Sequence, residues 1–157
     1  MKIHKIIASG LGTGYSPVAP GTMGSLLGIG MLYGINTWFN ELGFQSITIL
    51  VINLASIILV LPMGVYSIKI VHQQWEHDAS KIVIDEIVGV WIAAFALPLV
   101  WWYYLAAFIL FRVFDIIKPF GIRSIDRLNG HWSVMLDDVL AGVYAFIVVQ
   151  VGLHFHI

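Results

Sequence analysis

Long uncharged, mostly apolar stretches alternate with short polar segments along this chain. Residues 6–40, 46–68 and 87–111 contain no Asp, Glu, Lys or Arg, and neither do residues 139–157, which carry only two histidines, His154 and His156. About 20 apolar residues cross a bilayer as a helix, so each stretch is a transmembrane candidate. The pattern predicts an all-α protein, a polytopic helical membrane bundle. The first stretch is unusual at its start. "GTGYSPVAPGTMGS", residues 12–25, holds four glycines, two prolines and four Ser/Thr, so the helix is expected to open only at Gly21 or Thr22 and run to Trp38. The N-terminus, "MKIHKIIASGLGTG", begins like a signal peptide, but Ser9, Gly10, Gly12 and Gly14 interrupt its apolar run. It is expected to be retained.

The third stretch has a flaw in its middle, "ALPLVWWYYL". Pro98 removes a helical donor and clashes with the preceding turn, and Trp and Tyr favour the membrane–water boundary. Residues 87–111 therefore read as a re-entrant or hairpin pair with arms of about 18 Å each, at 1.5 Å per residue. A single Pro-kinked span is the alternative. Charge distribution favours the hairpin. Lys2 and Lys5, Lys69 and Lys81, and the group Arg112, Lys118, Arg123 and Arg127 occupy three separate polar segments. The positive-inside rule assigns all three to the cytoplasm, which requires an even number of crossings between 87 and 111. Every acid except Glu41 then joins a polar cytoplasmic cap.

Composition agrees with a membrane protein: 59% of the 157 residues are hydrophobic and 11% charged, against about 25% charged in soluble domains. Aromatic residues, at 13%, suit interfacial belts and helix packing. The net charge of −1 and the lack of a basic stripe argue against nucleic acid, and the absence of cysteine removes thiolate catalysis and disulfides. No repeat of 20–50 residues and no low-complexity segment divides the chain, so a single membrane-embedded domain over 1–157 is expected.

Three acidic clusters sit on the cap: Asp78, Asp85 and Glu86 in "HDASKIVIDEIVG"; Asp115 with Arg112 and Lys118 in "FRVFDIIKP"; and Asp126 with Asp137 and Asp138 in "DRLNGHWSVMLDDVLAG". The first and third are expected to open apolar helices, where the dipole favours negative charge. Capping accounts for one acid better than for an Asp-Glu or Asp-Asp pair. Adjacent carboxylates call for a mediating cation, and Mg²⁺ takes oxygen ligands together with substrate phosphate. Asp85, Glu86, Asp115, Asp137 and Asp138 are the candidate metal ligands, with Asp85, Asp115, Asp137 and Asp138 the candidate catalytic acids. His72, His77 and His131 lack paired metal spacing. Arg112, Asp115 and Lys118 recur every three residues, so one helical face can present two phosphate-gripping cations beside a metal-facing acid. The glycine-rich stretch then reads as a phosphate cradle at a helix N-terminus, with Thr13, Ser16, Thr22 and Ser25 as hydroxyl donors. No Gly-Lys-Ser/Thr triplet closes it, so nucleotide is not indicated.

Together "GTGYSPVAPGTMGS", "IVIDEIVG", "FRVFDIIKP" and "MLDDVLAG" resemble the phosphatidylglycerophosphatase A family, in the family's order and from about Gly10 to Gly142. The chain departs from the family pattern at "NGHWSVM", where a glycine-rich segment is usual, and at Ala79, where a proline commonly follows the residue matching Asp78. The resemblance implies Mg²⁺-dependent removal of the terminal phosphate of phosphatidylglycerophosphate in phospholipid biosynthesis. It places the protein in the bacterial cytoplasmic (inner) membrane, multi-pass, with its active site facing the cytoplasm.

The expected mechanism is in-line attack by a metal-activated water. Thr22, Ser25, Arg112 and Lys118 would hold the substrate phosphate; spacing leaves open which acid is base and which is ligand. A phosphohistidine route through His77 or His131 is not favoured. The expected partner is a phospholipid in the membrane, with neither nucleic acid nor nucleotide, and a homo-oligomer is left open. The alternatives are a small transporter or channel subunit, since intramembrane acids often mark ion pathways, and a catalytically inactive homologue. No Asp-Gly dipeptide suits a CDP-alcohol phosphotransferase, and no Ser-Gly-His triplet suits a histidine-based lipid phosphatase.

Overall fold

The computed structural model describes residues 2–73, 75, 79–128 and 130–155. Seven α-helices and two short 3₁₀ turns occur among them, with no strand. In chain order the helices are α1 (Lys2–Ala8), α2 (Pro20–Glu41), α3 (Ser46–His72), α4 (Ile84–Ala93), α5 (Trp101–Ile117), α6 (Ile122–Asp126) and α7 (His131–His154). Two of them, α3 with 27 residues and α7 with 24, are long and apolar enough to cross a membrane. The protein is the all-helical bundle that its hydrophobic pattern predicts.

Residues 87–111 form the hairpin. Helix α4 ends at Ala93, the chain turns through 94–100 with Ala96 in the left-handed region (φ 58°), and α5 returns. The arms are unequal, at 10 and 17 residues, or about 15 and 25 Å at 1.5 Å per residue. Asp85, at the start of α4, and Asp115, near the end of α5, line one cleft, while Ala96 and Pro98 line a cavity at the other end of the bundle. The chain therefore enters and leaves on the same side.

The glycine-rich stretch has a packing task that its composition did not reveal. Gly21, Gly24 and Gly28 lie along one face of α2, against α4 and the residue preceding it. A methyl at Gly24 would lie 2.7 Å from the Val83 side chain, and one at Gly28 would lie 2.9 Å from Val90. The indole Nε1–H of Trp91 donates to the Gly28 carbonyl at 2.8 Å. Ahead of α4, the Val83 amide donates to the Ala8 carbonyl at 2.9 Å, which ties the start of α4 to the end of α1.

On its other side α4 packs against α7. A methyl at Gly142 would collide with the Gly89 carbonyl, and one at Gly89 would lie 2.8 Å from the Asp138 carbonyl oxygen. Side-chain-free contact of this kind lets membrane helices approach closely. Around it lie buried Val88, Val90, Phe111, Ala141 and Ala145.

One expectation is corrected. Helix α7 begins at His131, so Asp137 and Asp138 lie in its second turn and do not open it. They are fixed there by packing, at 5% and 3% exposure.

Candidate functional site

A cleft of about 420 Å³ opens where the start of α2, the start of α4, the end of α5 and the second turn of α7 converge. Six carboxylates line it (Asp85, Glu86, Asp115, Asp126, Asp137 and Asp138) together with two cations, Arg112 and Lys118. The glycine crossing explains the convergence. Gly89 follows Asp85 by four residues, and Gly142 follows Asp138 by four. Residues four apart share a helix face, so the crossing brings the acids face to face one turn away.

The acids form two overlapping sets. Asp85, Glu86 and Asp138 each offer an oxygen within 4.8 Å of the others, and Asp115, Asp137 and Asp138 do the same. Asp138 belongs to both. Like charges about 4 Å apart repel by roughly 4 kcal/mol at an effective dielectric of about 20. A typical net hydrogen bond, about 1 kcal/mol, does not offset this. Three acid oxygens in the cluster, Asp85 Oδ1, Glu86 Oε2 and Asp137 Oδ1, are buried with no hydrogen-bond donor. Concentrated negative charge with orphaned acceptor atoms fits a cation, and the all-oxygen donor set suits a hard divalent ion. The cluster can hold a metal ion.

The two cations are arranged differently. Arg112 Nη1 pairs with Asp115 Oδ2 at 2.8 Å and lies 3.4 Å from Ser25 Oγ, to which it donates. Its Nε is buried with no acceptor, which leaves a donor for an anion. Lys118 ends α5 in the left-handed conformation (φ 50°). Its ammonium donates to Asp126 Oδ1 at 2.7 Å and closely to Asp137 Oδ2. Burial alone would lower the Lys118 pKa, but the bonds to Asp126 and Asp137 outweigh it and raise it. Lys118 stays charged and lines the cleft, held between two acids.

The α2 N-terminus opens onto the cleft through Ala19, Pro20, Gly21 and Thr22. The first turn of a helix has no intrahelical acceptors for its amides, and this one points its positive dipole end at the site. A methyl at Gly21 would collide with Glu86 Oε1, so glycine is required for the carboxylate to approach.

Of the expected hydroxyl donors, only Thr22 lines the cleft. Ser25 is fully buried, donates to the Gly21 carbonyl at 2.8 Å and supports Arg112. Thr13 Oγ1 donates to Gly10 O at 2.9 Å, and Ser16 Oγ to Val18 O at 2.9 Å; both are spent on local turns. His72 and His131 lie outside the cleft with their Nδ1 atoms 3.4 Å apart. His154 closes the far end of α7. His77, Asp78 and His156 lie outside the described residues.

Sequence reasoning missed the glycine crossing, the tether of Asp126 to Lys118 and the support of Arg112 by Ser25. The repeated pattern of acid, three residues, glycine in "DEIVG" and "DDVLAG" was the available signal for the first.

A helical bundle with two helices long and apolar enough to cross a membrane, and an acid-rich cleft that can hold a metal ion, defines the class as a membrane protein with a candidate metal site. The chain belongs to the phosphatidylglycerophosphatase A family, which it matches over residues 6–153. It is 40% identical over 151 residues to a putative phosphatidylinositol-3-phosphatase of Bacteroides thetaiotaomicron, covering 94% of this chain and 91% of that protein. It is 43% identical over 150 residues to phosphatidylglycerophosphatase A of Haemophilus influenzae (94% and 86% covered) and 39% identical over 146 residues to that of Escherichia coli K12 (88% and 76% covered). No solved structure matches the chain.

Proposed function

We propose that the protein is a Mg²⁺-dependent phosphatidylglycerophosphatase, which hydrolyses the terminal phosphate of phosphatidylglycerophosphate to give phosphatidylglycerol in phospholipid biosynthesis. The observation that carries this is the coincidence, in one cleft, of two carboxylate sets sharing Asp138 with the unpartnered Arg112 Nε and the α2 N-terminus. Family membership supports a phosphatase, and the names of the relatives from H. influenzae and E. coli support the substrate.

In this reading the ligands of the metal ion are drawn from Asp85, Glu86, Asp115, Asp137 and Asp138. When bound, Mg²⁺ supplies charge neutralisation at the phosphoryl group and a lowered water pKa. Arg112 and the amides of Gly21 and Thr22, with the Thr22 hydroxyl, orient the phosphate beside the acids. Ser25 and Asp115 position the guanidinium. Lys118 holds Asp126 and Asp137 in place and balances their charge. Whichever acid is left free of the metal holds the attacking water, takes its proton and passes a proton to the departing glycerol oxygen, with Asp85, Asp115, Asp137 and Asp138 the catalytic candidates.

The whole chain acts as one membrane-embedded domain, multi-pass in the bacterial cytoplasmic membrane. A cytoplasmic cleft is supported by the basic residues, because Arg112 and Lys118 line it and Arg123 and Arg127 lie on and just after α6, the helix that carries the cleft residue Asp126.

The test is phosphate release by the purified, detergent-solubilised protein from phosphatidylglycerophosphate and from phosphatidylinositol 3-phosphate, each with Mg²⁺ and with excess EDTA. Release from the first that stops with EDTA is expected. Release indifferent to EDTA would remove the metal from the mechanism. Preference for the inositol lipid would replace the substrate.

A further inference from the structure

A second depression lies between α2 and α5, with a volume of about 200 Å³ and an almost wholly apolar lining. Its walls continue the cleft. On α2, the cleft residue Thr22 is followed at helical spacing by Leu26, Gly30 and Tyr33. On α5, the cleft residue Arg112 is preceded at the same spacing by Phe108, Leu105 and Trp101. Residues three and four apart lie on one helix face, so the phosphate-binding end and the apolar groove form one continuous track. Eleven residues from Thr22 to Tyr33 span about 16 Å at 1.5 Å per residue. That is close to one leaflet, half of a hydrocarbon core of about 30 Å.

Aromatic rings close the far end, where Tyr33 and Tyr104 pack edge to face at 4.9 Å and Trp101 lines the groove. The floor is open: a methyl built at Gly30 meets no atom within 4 Å. Leu26, Leu105 and Trp101 are exposed along the rim.

The geometry points to this groove as the seat of one acyl chain of the lipid whose phosphate occupies the cleft, with Gly30 setting the room available to it. The inference rests on the lipid-phosphatase reading above. A lipid whose headgroup lies at the α2 N-terminus has its chains directed into the bilayer, along the two helices that hold the phosphate. The groove is the apolar surface those helices offer. Its occupant is a chain of the substrate, recognised by length and not by charge.

The experiment measures kcat and KM of the full-length protein on phosphatidylglycerophosphate with short and long acyl chains, and on the deacylated headgroup phosphate. Gly30→Phe fills the groove from α2, Leu105→Trp fills it from α5, and Gly34→Phe is the control one turn beyond, where a methyl also meets nothing. Both filling variants are expected to raise KM for the long-chain substrate about tenfold, as when roughly two methylenes lose their burial. Turnover of the deacylated substrate is expected to stay unchanged, and the control to behave as wild type on all three. Equal kinetics of wild type and both filling variants at every chain length would overturn the groove while leaving the phosphatase reading standing. A change of oligomeric state in the filling variants without a chain-length effect would also overturn it, making the groove a seam between copies. No release by wild type from any of the substrates would sink both readings together.

Discussion

Two cavities of nearly equal size occupy opposite ends of the bundle. The cleft at the start of α2 measures about 420 Å³, and the cavity beside the α4–α5 turn about 430 Å³. Thr22 in the first and Asn40 in the second are separated by about 27 Å of α2, at 1.5 Å per residue. Eight charged side chains line the cleft, whereas Asn36, Asn40, Asn53 and Ser46 supply the polar side chains of the far cavity, with no charged one among the described residues. Volume therefore does not distinguish them. The cleft has crowded like charges that need a partner; the far cavity has neutral amides, of which Asn36 donates through Nδ2 to Tyr104 Oη at 3.1 Å while its Oδ1 is buried without a donor. What separates the two cavities is therefore crowded charge, since each holds a buried polar atom without a partner.

The largest effect is expected where the two carboxylate sets join. Asp138→Asn removes one charge from both sets but keeps shape and burial. Phosphate release is expected to fall by about 10³-fold, at or above the 10²–10³ cost of losing one transition-state hydrogen bond. Thermal stability is expected to hold or rise, because like-charge repulsion in the cluster is relieved. Steady-state kinetics and a melting curve on the same preparation check both parts. A substantial loss of stability, or activity within tenfold of wild type, would contradict the role given to this residue.

Next comes the packing that creates the cleft. Gly142→Leu places a side chain against the Gly89 backbone, and overpacking of this kind costs about 1–3 kcal/mol. Helices α4 and α7 are forced apart, so Asp85 and Glu86 separate from Asp138. Activity is expected to drop about a hundredfold, as when supporting contacts of a metal site are lost, with a lowered melting temperature. Unlike Asp138→Asn, this variant loses both. Metal-induced stabilisation, read as the shift in melting temperature on adding Mg²⁺, is expected to shrink with it.

These two variants also separate what was legible in the sequence from what was not. The acids were legible because charge is rare in this chain and clustered charge rarer still. The hairpin was legible because Pro98 and the run Trp101–Tyr104 combine a helix breaker with an interfacial signature. The pairing of α4 with α7 was not, since which helices touch depends on contacts far apart in sequence, here Gly89 with Gly142. Two side chains gained partners for the same reason. Ser25 looked like a phosphate ligand, yet helix geometry turns its hydroxyl back to the Gly21 carbonyl and toward Arg112. Lys118 was expected to hold phosphate, and α6 and α7 bring Asp126 and Asp137 to it as well. The start of α7 was misplaced because Val139 begins the uncharged run, whereas packing carries the helix eight residues further back, to His131.

The smallest effect is expected at the far cavity, and it is the one that tests the comparison itself. Asn53 is buried, on α3, and lines that cavity. Asn53→Leu exchanges a neutral polar side chain for an apolar one of similar size, at a distance from every cleft residue. Replacing a neutral amide with an apolar side chain of similar shape costs about 1 kcal/mol. Phosphate release is expected to stay within about twofold of wild type, since nothing in the cleft loses charge or position. The same assay that reads Asp138→Asn checks it. A loss of activity at Asn53 comparable to that at Asp138, with stability intact, would mean that the neutral end takes part in the reaction, and the contrast between charged and neutral cavities would no longer locate the chemistry.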